Sequence, residues 1–323
     1  MDKGMKYSLN TTKAYHANQL NTLGWELTVC NALYPEKTPI RRILARGDSY
    51  GRLLYEYLNR FIPMKYIKNT IEIGGGYGYL MRDFFDCNKS LKPCMLDISP
   101  YLLQQQKETL KEHCVVYREE DFLETDTAFL RGFDMAILNE NLGDFPTLIN
   151  LGQEIFKLPS GTANHDLAQT IGFFQRYKLS RPLSEAFHFN LGALQALEKL
   201  CISGIPYIFL GEHSCEAVVP EALRLLVHIE STGTPEKISL MGHDEYSIQF
   251  SYLQKVAEAL GYEAIRGPFA DFIPLAMTEE LRFILASGGN VSDKAEVVCQ
   301  FVEDLYKYEY LILIKSDRVG RPT

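Results

Sequence analysis

The sequence predicts an α/β fold in which a mostly parallel sheet carries helices on both faces, and three observations predict it. From about residue 66 onward, short β-rich runs alternate with helical stretches. The first of those runs ends in a cluster of glycines, TIEIGGGYGYL at residues 70–80, just before a new apolar pattern begins. Acidic residues stand at the ends of the next two runs, Asp97 in CMLDIS and Asp121 in REEDFLE. Such alternation implies βαβ units with right-handed crossovers.

The elements read in order as follows. Residues 1–62 form an N-terminal helical cover: AYHANQLNTLGWELTVCNALY and SYGRLLYEYLNRF space apolar groups at three and four, broken by Pro35, Pro39 and Gly47-Asp48. The aromatic residues there, Tyr7, Tyr15, Trp25 and Tyr34, read as helix-packing groups. Residues 63–146 form the first half of the core, with strands in YIKNTIEIG, KPCMLDIS, CVVYREED and FDMAILNE and helices in LMRDFFDC and PYLLQQQKETLKEH. Residues 147–200 interrupt the rhythm and read as a helical insertion over the site, with helices in LINLGQEIF and NLGALQALEKLC. Residues 201–323 form the second half. Its strands are GIPYIFLGEH, YEAIRG and YKYEYLILIK, and its helices lie in PEALRLLVHI, FSYLQKVAEALG, TEELRFILA and SDKAEVVCQFVEDLYK. The closing SDRVGRPT reads as a frayed tail.

Composition bounds the function. The chain has 323 residues, 46% of them hydrophobic and 23% charged, with a net charge of −8. That balance argues against a phosphate-backbone surface, which needs a basic face; Arg41, Arg42 and Arg46 read as a solvated helix face. The seven cysteines are odd in number and form no CxxC pair, so neither a disulfide framework nor a zinc knuckle is expected. No run approaches the ~18 apolar residues that cross a membrane, and the expectation is a cytoplasmic protein without nucleic-acid or membrane partners.

A strand that ends in Gly74, Gly75, Gly76 and Gly78 before a helix is a nucleotide-binding turn, because missing Cβ atoms let the main chain approach a ligand. A dinucleotide fingerprint needs G-x-G-x-x-G, but counting from Gly74 and Gly76 its third place is Tyr79, and counting from Gly75 its second place is Tyr77. A P-loop is excluded because no Gly-Lys-Ser/Thr follows. Glu72, Gly74, Gly76 and Gly78 fit E-x-G-x-G-x-G instead, which resembles the first motif of class I S-adenosylmethionine (SAM)-dependent methyltransferases. Asp97, with Ile98 beside it, is placed to accept ribose hydroxyls.

The strand FDMAILNENLGDFP, together with IEIGGGYGYLMRDF and LDISPYLLQQQKETL, resembles the MidA-like methyltransferases, a family that includes a mitochondrial complex I assembly factor acting on protein arginine. GDSYGRLLYEYL and ISLMGHDEYSIQFSYLQKVAEALG are similar to further family segments. Asn139-Glu140 and Pro146 match the family pattern; Gly143 stands where the family has Asp, and Asp144 lies one place later. The resemblance implies a Rossmann-like sheet of seven strands, the last antiparallel, with SAM as cofactor. It implies that Asp121 takes the adenine amino group, that Phe122 packs the ring, and that Gly75 and Asn139 also line the cofactor site. Glu140 and Asp144 then face the methyl acceptor as catalytic residues, beyond the carboxyl end of the fourth strand. The acceptor is a protein side chain, arginine by resemblance, or a small molecule; a homodimer is a further option. A SAM-binding assembly protein with weak turnover is the alternative reading. Glu212, His213, Cys215 and Glu216 in GEHSCE fit no zinc pattern and read as a polar strand-end loop, with His213 a base only as the lesser alternative. His243-Asp244 reads as a structural polar pair.

Overall fold

The computed structural model describes residues 7–22, 28–34, 38–159, 162–240 and 242–316. Trp25, Pro35 and residues 317–323 of the expected tail lie outside them. The seven expected strands form one sheet. They are β1 (Asn69–Ile73), β2 (Lys92–Asp97), β3 (Val116–Glu119), β4 (Met135–Asn139), β5 (Tyr207–His213), β6 (Tyr262–Pro268) and β7 (Tyr308–Lys315), in the spatial order β6-β7-β5-β4-β1-β2-β3. β1 pairs in parallel with β2 and β4, β2 with β3, and β4 with β5. β7 runs antiparallel between β5 and β6. This is the seven-stranded, mostly parallel arrangement of the class I methyltransferase fold.

Both faces are apolar because side chains alternate along each strand. Met135, Ile137, Phe209, Tyr310 and Ile312 enter one core. Their neighbours Ala136, Leu138, Leu210, Leu311 and Leu313 enter the other. The first core is covered by α1 (Tyr50–Leu58), α2 (Tyr79–Cys87), α7 (Glu279–Ala286) and α8 (Asp293–Lys307). The second is covered by α4 (His165–Arg176), α5 (Leu191–Ser203) and α6 (Phe250–Ala259). α3 (Pro100–Thr109) follows β2; Pro100 stands in its first turn and Ser99 caps it by accepting from the Leu102 N–H at 3.3 Å. α1 and α2 approach closely at Gly51, where a Cβ would lie 2.6 Å from that of Asp83.

Two segments differ from the sequence reading. LINLGQEIF is a strand, Leu148–Gly152, followed by a 3-10 turn, Gln153–Lys157, rather than a helix. The strand pairs with Ser8–Leu9 on one side and Ala186–Phe189 on the other, so partners distant in sequence override its helical spacing. Residues 147–200 are therefore mixed rather than purely helical. PEALRLLVHI holds only the 3-10 turn Glu221–Leu223; Val227 is buried in the first core with Leu223 and Leu226 against it, while Leu225 is exposed, so the segment packs as an irregular run rather than along one helical face.

Candidate functional site

β1 stops at Ile73, and the chain turns through Gly74 and Gly76 with φ of 64° and 51°. L side chains rarely adopt that conformation. Space forbids a side chain as well: a Cβ on Gly74 would lie 2.2 Å from Asn141 Nδ2, and one on Gly75 would lie 2.4 Å from Met95 Cε. The bare turn forms the floor of a cleft across the carboxyl ends of β1, β2 and β4 and the loop after β3. Glu72, Gly74, Gly75, Gly76, Asp97, Ile98, Asp121, Phe122, Asn139, Glu140 and Asp144 all line it. Gly78 is set apart. It opens α2 in the left-handed region, and a Cβ there would meet the Gln106 main chain at 3.4 Å.

The strand-tip carboxyls are buried with few compensating charges. Glu72 is pushed up to about 8 by burial and by the Asp97 charge, and its Oε2 has no partner. Asp97 is pushed up to about 6 by burial, partly offset by hydrogen bonds. It accepts from the Ser99 N–H and from Gln106 Nε2, both at 2.9 Å. The Ile98 N–H also favours its charged form, and a carboxylate has about four lone-pair positions, so these donors do not exhaust it. Gln106 Nε2 also donates to the Gly76 carbonyl at 3.1 Å, tying α3 to the glycine turn.

Glu140 is pushed up to about 7 by burial and then by the charge of Glu212. Its Oε1 accepts from the Cys30 N–H at 3.1 Å and from Asn139 Nδ2 at 3.3 Å, while its Oε2 is buried without a partner. Its φ is +57°, a left-handed conformation that costs a non-glycine residue on the order of 1–2 kcal/mol. Asn139 in turn accepts from the Tyr50 hydroxyl at 2.5 Å. Gly143, at the position of the family's Asp, lies against the Asp244–Tyr246 strand: a Cβ there would be 3.1 Å from the Tyr246 carbonyl oxygen. Asp144 reaches His16, Oδ1 to Nε2, at 3.4 Å.

Residues of the expected N-terminal cover line the cleft, among them side chains that the sequence did not single out. The helix Thr12–Asn18 places Lys13 in an ion pair with Asp121 and His16 beside Asp144. Thr28, Cys30 and Asn31 form a further wall, and Tyr34 stacks on Tyr79 with ring centroids 3.5 Å apart. Asn141 donates to the Ile73 carbonyl at 2.6 Å, bracing the glycine turn. The glutamine run after Asp97 was a signal for Gln106; Lys13 and His16 carried none.

Other singled-out residues have structural partners. His213 lies against Tyr308 with centroids 3.7 Å apart; burial lowers its pKa, and the neighbouring Glu212 carboxylate outweighs that and raises it. Cys215 Sγ donates to the Ile248 carbonyl, and Glu216 pairs with Arg266 at 3.0 Å. His243 faces Glu245 at 3.2 Å, and Asp244 faces Lys237 at 2.8 Å. Arg46 is held by Asp48 and Glu56, and Arg41 by the Leu33 and Gly47 carbonyls. Among the described residues no helix is long and apolar enough to cross a membrane.

No protein-family model and no curated protein matches the chain. The fold is similar to that of two solved proteins from Burkholderia thailandensis. One is an uncharacterized superfamily protein, 13% identical, with TM-score 0.52 over 82% of this chain and 79% of that one. The other, a member of the same superfamily bound to S-adenosyl-homocysteine, is 12% identical, with TM-score 0.50 over 94% of this chain and 87% of that one. At these identities the likeness is one of fold: the chain has the class I methyltransferase architecture.

Proposed function

We propose that the protein is a SAM-dependent methyltransferase whose cofactor lies over the Gly74–Gly76 turn. The observation that carries the reading is the acidity of the strand tips. Glu72, Asp97 and Glu140 are all buried and all pushed up in pKa within one cleft, and the basic side chains lining it are Lys13, paired with Asp121, and His16, held neutral by burial and lowered to about 4. A pyrophosphate brought to this turn would find no unpaired basic side chain among those lining the cleft and would oppose ionisation of the carboxyls further, whereas an ammonium and a sulfonium favour their charged forms and are paired by them. The bound S-adenosyl-homocysteine of a protein with this fold supports the same reading.

The residues present fit that cofactor. Gly74, Gly75 and Gly76 offer bare main chain, and the unpartnered Glu72 Oε2 offers an acceptor. Asp97 takes the ribose hydroxyls, Asp121 the adenine amino group, and Phe122, Ile98 and Asn139 complete the walls. When bound, SAM supplies an electrophilic methyl group for an in-line displacement. The chain supplies orientation and a dry site. Glu140 lines the cleft, and a carboxyl pushed up to about 7 suits accepting a proton from, or pairing with, a nitrogen acceptor. Asp144 braces the acceptor end through His16. The likeness to MidA-like sequences favours a protein arginine as acceptor, with a small molecule as competitor.

Calorimetry with SAM, S-adenosyl-homocysteine and NADH, followed by a labelled-methyl assay on cell lysate, tests the proposal. SAM binding with label transferred to an acceptor is expected. NADH binding without SAM binding overturns it, and SAM binding without transfer leaves the assembly-protein reading in its place.

A further inference from the structure

We propose that His16, Asp144, His243 and Glu245 form a site for one divalent cation of the zinc class, which fastens the N-terminal helix across the acceptor end of the cleft. The proposal stands apart from the methyltransferase reading, since it concerns a cation and not the cofactor.

The four residues come from three segments distant in sequence: the helix Thr12–Asn18, the 3-10 turn Leu142–Asp144 and the short strand Asp244–Tyr246 with the residue before it. One ligand atom from each lies within 4.8 Å of all the others. Zinc holds nitrogen and oxygen ligands at ~2.0–2.2 Å in a tetrahedron, whose edges are then ~3.3–3.6 Å. One edge already has that length and a second is about 0.1 Å short of it. His16 Nε2 is 3.4 Å from Asp144 Oδ1, and His243 Nε2 is 3.2 Å from Glu245 Oε1. Closing even a gap at the 4.8 Å limit to a tetrahedral edge takes a contraction of at most about 1.5 Å, within the reach of side-chain rotation.

The surroundings suit a fixed ion. The His243 side chain is fully buried and that of His16 nearly so, at 0% and 10% exposure. Their rings meet edge to face at 89°. Tyr15 stacks on His243 with centroids 4.3 Å apart, which restricts the tilt of its ring. Two imidazole nitrogens with two carboxylate oxygens suit zinc, cobalt or manganese; magnesium and calcium prefer oxygen throughout. Four protein ligands complete a tetrahedron, which is the pattern of a structural ion rather than a catalytic one.

The test uses the full chain, stripped with chelator, alkylated at its thiols to silence the seven cysteines, and titrated with Zn2+, Co2+ and Mg2+. Expected are one zinc per chain by elemental analysis, a melting temperature several degrees higher with zinc, and a cobalt spectrum without a sulfur-to-metal band. His16→Ala and the near-isosteric Glu245→Gln should each weaken zinc binding by about tenfold or more. Their metal-free circular dichroism should match that of the parent chain, and Glu245→Gln decides the matter if His16→Ala fails to fold. Substoichiometric zinc, loss of binding on alkylation, equal binding of magnesium, or parental affinity in Glu245→Gln would each overturn the proposal.

Discussion

Glu140→Gln separates a buried acid from a merely capping one. In the folded chain the carboxyl is displaced from an ordinary 4.5 to about 7 by burial and by the Glu212 charge. A displacement of that size is an ionisation penalty with a ceiling on the order of 3 kcal/mol above pH 7, less whatever relaxation and water entry recover. The sign follows from proton counts. Between pH 4.5 and 7 the native state holds a proton that the unfolded chain has lost, so stability falls as pH rises through that window. Glutamine removes the penalty. Its Oε1 can still accept from the Cys30 N–H and Asn139 Nδ2, and its amide nitrogen takes the place of an oxygen that has no partner. Urea unfolding should therefore find the variant about as stable as the parent at pH 4.5 and on the order of 1–3 kcal/mol more stable at pH 8. Methyl transfer by the same variant should drop by ~10²-fold or more while S-adenosyl-homocysteine affinity changes little. Equal destabilisation at both pH values would refute the reasoning, because it would mean the group is an ionised hydrogen-bonding anchor.

Further outcomes follow from the same geometry. Asp97→Ala should weaken S-adenosyl-homocysteine binding by roughly 10–100-fold in calorimetry, from about 1–3 kcal/mol of charge-assisted hydrogen bonds, and it should lower the melting temperature, since Ser99 and Gln106 lose their acceptor. Gly74→Ala combines a φ of 64° with a Cβ 2.2 Å from Asn141 Nδ2, so a loss of ~2 kcal/mol or more in urea unfolding is expected. Lys13→Ala breaks the pair with Asp121; limited proteolysis should then cut the N-terminal segment faster while global stability moves by less than ~1 kcal/mol. Glu72, raised to about 8, adds to the fall in stability between pH 4.5 and 8, and Glu72→Gln should flatten the parent's stability-against-pH curve there.

The sheet was legible because each of its strands announces itself locally. MLD and AILN are β-rich runs bounded by turn signals, and their pairing follows from the alternation with helices. The glycine turn was legible for the same reason: a cluster such as Gly74–Gly76 has few other uses at a strand end. What escaped depends on contacts between distant residues. Leu148–Gly152 carries helical spacing but is claimed by Ser8–Leu9 and Ala186–Phe189. His16 and Lys13 sit in an unremarkable polar helix, and only folding brings them to Asp144 and Asp121. Gly143, which departs from the family pattern, became intelligible once the Asp244–Tyr246 strand was seen lying against it.

Lys13 and His16 are one turn apart on a single short helix, yet they grip opposite ends of the cleft, Asp121 beside the expected base and Asp144 beside the expected acceptor. Both ends therefore share one door. Displacing that helix would break both pairs together, so neither end can be laid open to solvent without the other.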